Sequence, residues 1–308
     1  MHNFILKRLF QLIPVLLGVS LLVYAIMSFT PGDPAQLILG ENAPKHAVES
    51  LREEMGLDDP FVLRYARYVG NAIIGDLGRS YASGRDVFNE IFLRFPNTLV
   101  LAVLGTLIAV LIGIPVGILS ATRQYSFIDS SSMLMALLGV SMPNFWLGLM
   151  LILVFSVNLG WLPSGGYSDW SSLILPALTL GTGSAAIITR MTRSSMLEVI
   201  RQDYIRTARA KGVAENVVIN KHALKNALIP VITVIGLQFG YLIGGAVLTE
   251  TVFSWPGVGR MMVDAIRQKD TPMVMGAVMF LAVAFTLVNL FVDVLYGYVD
   301  PRIKSQYA

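Results

Sequence analysis

Six long apolar runs decide what this chain of 308 residues can become. They are Leu9 to Phe29, Thr98 to Leu119, Met133 to Val157, Leu173 to Thr189, Val231 to Leu248 and Met275 to Val294. Each is close to the roughly 20 residues that a helix needs to cross a hydrocarbon core. Lipid offers the backbone no water to bond with, so a lone apolar run must close its own hydrogen bonds as a helix. With 55% apolar and 14% charged side chains, the chain is too apolar for an ordinary soluble domain. The expected fold class is an all-α polytopic membrane protein with six transmembrane helices. The first run follows Lys7 and Arg8, exceeds a signal-peptide core and lacks a small-x-small cleavage site after it, so it reads as a retained span.

Charge then gives the topology. Residues 30–96 form the one long polar segment, and its acids, from Asp33 through Glu53, Glu54, Asp58 and Asp59 to Glu90, outnumber its bases. That places it outside the cell membrane. Within it, Asp59 and Pro60 read as an N-cap and first-turn proline, with Phe61, Tyr65, Tyr68, Val69 and Ala72 on one helical face, a small helical cap. Lys7 and Arg8, Arg123, the bases of the loop 190–230, and Arg302 with Lys304 mark the cytoplasmic side, so both termini are expected there. The same topology accounts for the basic pI without nucleic acid. The resulting division is 1–29 for the N-terminus and first span, 30–96 for the outer segment, 97–298 for a five-helix core, and 299–308 for a cytoplasmic tail.

The loop 190–230 is strongly basic: Arg190, Arg193, Arg201, Arg206, Arg209, Lys211, Lys221 and Lys225 stand against Glu198, Asp203 and Glu215. Its apolar residues keep a helical spacing on both sides of Gly212, which predicts two helices broken where glycine takes positive φ. A helix, turn, helix of this kind between spans is expected to be gripped by a cytoplasmic partner. Small residues recur four apart at Gly105, Ala109, Gly113 and Gly117, and again at Gly236, Gly240 and Gly244. Such rows let helix backbones approach closely in lipid. Packing within the subunit is the expectation for the first row, and for the second a subunit contact is an equal alternative.

Catalytic chemistry is missing. There is no cysteine, no Gly-Lys pair for a phosphate loop, no HExxH and no GxSxG. The histidines His2, His46 and His222 fall in separate segments, so no metal site is expected. Pro256 to Gly259 reads as a turn. Few ionisable or amide groups reach span depth, where a charge costs roughly 2.5–3.5 kcal/mol on insertion scales. Glu250 is a candidate gate or substrate contact, or else an anchor for its helix end that pairs with Arg260. Asp293 is expected to cap its helix end or to pair locally, with Arg190 or Arg193 as candidates. Gln238 and Asn289 either line a passage or bond a neighbouring helix. An ion-driven carrier would show buried acids or discontinuous helices in matching halves, and the sequence shows neither.

Several segments together resemble the permease subunits of ATP-binding-cassette importers, in the branch that carries dipeptides and oligopeptides. They are PGDP at 31–34, SMPNFWLG at 141–148, WLPSGGY at 161–167, ILPALTLG at 174–181, the stretch TRSSMLEVIRQDYIRTARAKG ending at Gly212, HALKNALIPV at 222–231, VFSWPGVGR at 252–260 and VDPRIK at 299–304. The resemblance implies a type I ABC importer permease fold with a small helical extracytoplasmic insertion. It implies a non-catalytic subunit without cofactors, since ATP is bound by partner subunits. The implied partners are a homologous second permease, two ABC ATPase subunits and an extracytoplasmic solute-binding protein. The implied ATPase-coupling residues are Arg206, Ala208, Arg209, Ala210, Lys211 and Gly212. Arg206 stands near the position where the general family has a glutamate. Close relatives of this branch import nickel, glutathione or other small solutes.

Overall fold

The computed structural model describes residues 2–30, 32–40 and 42–299. Pro31 of the PGDP segment, and the end of the VDPRIK segment with the tail that carries Arg302 and Lys304, lie outside the described residues. Among the described residues the regular structure is helical, apart from one isolated bridge between Arg79 and Asp86. Helix α1, His2–Phe29, is the first span. The polar segment that follows folds into α2 (Pro34–Leu39), α3 (Lys45–Glu54) and α4 (Phe61–Ile73).

Asp33 caps α2 by accepting from the Ala35 amide at 3.0 Å. Arg52 of α3 ties that cap down, reaching Asp33 at 2.6 Å and Asp58 at 2.5 Å. Helix α4 lays the expected face against α1. Tyr24 of α1 is buried between Phe61, Tyr65 and Tyr68, with ring centroids 5.5, 5.6 and 6.1 Å away. Burial pushes the Tyr68 hydroxyl up to about 12. Asp59 does not cap this helix. Pro60 holds the N-cap position without a side-chain bond, and Asp59 instead accepts from Arg67 at 2.9 Å.

Helix α5, Val87–Thr122, has 36 residues and so a length of about 54 Å. It exceeds the hydrocarbon core, which explains why its apolar run begins only near Thr98 although Asp86 caps the helix by accepting from the Asn89 amide. The third span departs from expectation. Helix α6 (Phe127–Ser141) and α7 (Asn144–Leu151), which runs on as a π-helical segment to Asn158, meet at a bend of 103° rather than forming one rod. Pro143 forces this, because the residue before a proline is excluded from the helical region, and Met142 is extended at φ −77°, ψ 126°.

Helix α8, Ile174–Ile200, outruns the expected fourth span and carries Arg190 and Arg193 in the same rod. Next come α9 (Asp203–Ala210), α10 (Glu215–Val217), a π-helical turn over Val218–Ala223, and α11 (Leu224–Gly245). Two short helices, α12 (Val247–Val252) and α13 (Val258–Arg267), lead to the last span, α14 (Thr271–Val299). Five described helices are long and apolar enough to cross a membrane, and counting the bent pair as one span gives six.

The first glycine row closes the α5–α8 pair, as expected. A Cβ on Gly113 would lie 2.7 Å from Ile188 Cγ2, and one on Gly117 would lie 2.5 Å from Thr192 Cβ. Gly236 and Gly240 of the second row do the same against Val292 and Asn289 of α14, while Gly244 meets nothing within 4 Å. Asp293 pairs at 3.0 Å with Arg8 of α1, not with Arg190 or Arg193, because α1 is the neighbour of that turn of α14.

Candidate functional site

The two ends of α5 organise two different constellations. At its Thr122 end the polar loop 190–230 folds onto the spans. Ile205 of α9 is fully buried beside Ala121, Met196, Val218 and Ala223, so a small apolar core holds the loop to α5 and α8. The turn after α9 is a Schellman motif. The Gly212 amide donates to the Arg209 carbonyl at 3.0 Å and the Val213 amide to the Ala208 carbonyl at 3.3 Å. Gly212 takes φ +74°, and Ala208 and Val213 pack on the same apolar cluster.

Arg209 then braces the turn by gripping the Glu215 carboxylate at 2.6 and 3.0 Å. Ala208 therefore points inward, while Arg206, Arg209, Ala210, Lys211 and Gly212 are exposed together at one corner. A Cβ on Gly212 would meet nothing within 4 Å. The Arg206 guanidinium pairs with Asp203 at 3.6 Å.

A buried ion pair fixes this end further. Arg193 of α8 donates to both carboxylate oxygens of Asp129 at 2.6 and 2.7 Å, and Ser120 donates to the same group at 2.5 Å. The Tyr125 amide adds a fourth bond at 2.9 Å. Asp129 is only 3% exposed. The α5–α6 connection and the root of α9 are thus parts of one body. Asp129 marks a loop in the sequence, but its partner 64 residues away has no local signal there.

At the Val87 end, Glu250 is the centre. It is fully buried, and among the described residues no cationic side chain bonds it. Its carboxylate caps α13 from outside. It accepts from the Arg260 amide at 3.1 Å and from the Thr98 hydroxyl at 2.6 Å, while Thr98 accepts from the Val258 amide at 3.0 Å. The N-cap of α13 is Gly257, which has no side chain to do this, and a Cβ there would fall 2.3 Å from the Glu250 carboxyl carbon. The helix dipole favours the negative group at this position.

Neighbouring bonds complete the clasp. Asn97 donates to the Pro256 carbonyl at 2.9 Å, and the Trp255 indole donates to the Asn97 carbonyl at 3.1 Å. The WLPSGGY segment joins through the Gly166 amide, 2.8 Å from the Phe253 carbonyl, and through the Tyr167 and Trp255 rings 4.7 Å apart. Glu250 thus caps the start of α13, and Arg260 meets it through its backbone amide, its guanidinium turning to the Ser254 carbonyl. The broken third span is a discontinuous helix that hydropathy does not display, but Asp129 and Glu250 sit toward opposite ends of α5 and do not form the matched pair of an ion-driven carrier.

Between the two ends, Gln238 of α11 donates to Ser184 of α8 at 3.1 Å, on the wall of a cleft of about 220 Å³ beside the α6–α7 break. Asn289 is not part of it. It faces Gly240 from α14, and its Oδ1 is buried without a hydrogen-bond partner among the described residues.

Over residues 113–305 the chain matches the model of the binding-protein-dependent transport system inner membrane component, and over residues 1–102 that of its N-terminal region. The chain belongs to this family. Among curated proteins, the permease is 46% identical to the dipeptide transport system permease protein DppB of Alkalihalophilus pseudofirmus, over 99% of this chain and all of that one. It is also 46% identical to the glutathione transport system permease protein GsiC of Escherichia coli K12, over 99% of both chains. Among solved structures, a chain of the inward-facing methionine ABC transporter MetNI superposes with a TM-score of 0.58 at 22% identity, over 68% of this chain and 96% of that one. A chain of an amino acid ABC transporter gives 0.53 at 16%, over 70% and 94%. The permease therefore has the type I importer fold, and it is the inner-membrane component of a binding-protein-dependent ABC importer.

Proposed function

We propose that this permease forms one half of a translocation pathway for short peptides and is driven through the corner at Ala210 to Gly212. The other half is a homologous second permease. Two ATPase subunits supply hydrolysis, this chain having no catalytic role, and an extracytoplasmic binding protein delivers the solute. Both termini and the α9 corner lie in the cytoplasm, in keeping with the bases that cluster there.

The observation that carries the reading is the corner itself. A short helix with a Schellman end, locked by Ile205 beneath and by Arg209–Glu215 across the turn, presents small and basic residues to a partner. A transporter can be switched by nucleotide only through contacts that differ between its two states, and a rigid projecting corner provides such a contact. The equal likeness to a glutathione permease favours a second reading, in which the solute is that tripeptide rather than a dipeptide. Reconstitution of the whole importer in liposomes tests both. Uptake of a radiolabelled dipeptide or of glutathione that needs ATP and the binding protein supports the reading. Uptake by this chain alone under an ion gradient refutes it.

A further inference from the structure

The break in the third span has a consequence for what the pathway recognises. Helix α6 and the helical stretch from Asn144 to Asn158 have 15 residues each, so the extended backbone at Met142 and Pro143 sits midway along the span. Irregular backbone at that depth is tolerated only where it is buried in protein or lines a water-filled cavity. Here it opens on the cleft of about 220 Å³ whose polar wall is Asn144, Ser184, Gln238 and Tyr241.

Two carboxamides stand in that cleft with unused capacity. Gln238 spends one N–H on Ser184, and among the described residues neither its carbonyl oxygen nor the Asn144 side chain has a hydrogen-bond partner. Gly183 makes the room. A Cβ at that position would lie in ordinary contact, 3.5 Å from Asn144 Oδ1, and a side chain extending beyond Cβ would enter the space between α8 and the break. Unpaired amides at span depth cost free energy unless something bonds them. The α6 helix also ends here with its last carbonyls turned from their own helical partners by the 103° bend.

On the proposed role as a peptide pathway, we infer that Asn144 and Gln238 form a mid-membrane contact for the amide unit of the passing solute. Gln238 Oε1 accepts its N–H, and the Asn144 carboxamide donates to its carbonyl. A site of this kind reads the amide unit that dipeptides and glutathione both carry and ignores side chains, which suits a pathway that must release what it binds.

The test uses the assembled importer in proteoliposomes, with the binding protein saturated by either alanyl-alanine or its counterpart methylated at the peptide nitrogen. Loss of a neutral hydrogen bond corresponds to about fivefold. Gln238→Leu is expected to lower alanyl-alanine uptake by about that factor and leave the methylated solute unchanged, so the preference of the wild type for the unmethylated solute falls. Gln238→Glu, which keeps the acceptor, should retain the preference, and this rescue separates recognition from a fold defect. Asn144→Leu should slow both solutes alike, since both keep the carbonyl. An unaltered preference in Gln238→Leu, or Asn144→Leu uptake equal to wild type for both solutes, overturns the inference. If the wild-type importer moves neither solute with ATP and binding protein, the peptide reading itself fails.

Discussion

Replacement of Glu250 by alanine should destabilise the protein before it alters transport. The carboxylate is fully buried and takes the Thr98 hydroxyl and the Arg260 amide, and its removal orphans both donors in a site closed to water. An unsatisfied buried donor costs about 1–3 kcal/mol, so the two together cost roughly 2–6 kcal/mol, with the vacated volume adding to it. Glu250→Gln keeps the volume and one acceptor oxygen and should cost about 1–2 kcal/mol by the same reasoning. Thermal unfolding in detergent, followed by tryptophan fluorescence, reads both, since Trp255 lies in the same clasp. The expected order is wild type, then Glu250→Gln, then Glu250→Ala. Thr98→Val supplies the second edge of a double-mutant cycle. Because the residues share a bond, the double variant should lose less than the sum by about 0.5–3 kcal/mol. A Glu250→Ala protein that unfolds with the wild type while solute uptake collapses would refute the anchor and return Glu250 to the passage.

Three other perturbations follow from the cytoplasmic end and the glycine seam. Arg193→Ala leaves Asp129 buried without its cation and should cost about 3–5 kcal/mol, whereas replacing both by neutral residues of similar size should recover much of it; chemical denaturation of the single and double variants decides. Gly212→Leu meets no neighbour but forces a side chain into φ +74°, at about 1–3 kcal/mol. It should insert normally yet hydrolyse ATP without uptake when assembled, and coupled uptake at the wild-type rate would count against the corner. Gly113→Val drives a branched side chain into Ile188 and the Ala185 carbonyl, 2.7 and 3.0 Å from where its Cβ falls, and should abolish accumulation of folded protein in the membrane.

The spans, the glycine seam between α5 and α8, and the turn at Gly212 are legible in the sequence because each rests on local rules: length in lipid, close approach without a Cβ, and positive φ. The bend at Pro143 is also local, but the apolar run continues straight through it, so hydropathy alone hides the break. What the sequence does not disclose are pairings set by which helices meet. Asp293 has Arg190 and Arg193 as plausible partners until α1 brings Arg8 beside it. Glu250 reads as either a gate or an anchor of its helix end because a carboxylate near a span end is conspicuous, whereas the group that satisfies it, the glycine-capped start of α13, is visible only once Gly257 is seen to lack a cap of its own. The Asn97–Thr98 pair at the start of an apolar run is the signal that would find this clasp.

The unbroken course of α8 links the proposed corner to the proposed contact. Ser184, which holds Gln238 in the cleft, and Arg193, which holds Asp129 beneath the loop, lie on one rod of 27 residues. That rod is zipped to α5 by Gly113, Gly117 and Gly181, at separations where a single added methyl group would collide. Packed cores are not continuously deformable, so a shift imposed at α9 moves α5 and α8 together instead of being absorbed between them. The compliant joint is then on the other side of the cleft, at Met142 and Pro143, where no helical bonds span the bend. A force on the Gly212 corner would widen or close the gap between Ser184 and Asn144. Cysteine pairs introduced at Ala109 with Ala185, which share one buried cluster of the α5–α8 seam, and at Asn144 with Gly183 would separate the two elements. Crosslinking the first should leave ATP-driven uptake intact, and crosslinking the second should stop it. Inhibition by the first crosslink would show that α5 and α8 slide on one another, and the rigid-rod argument would fall.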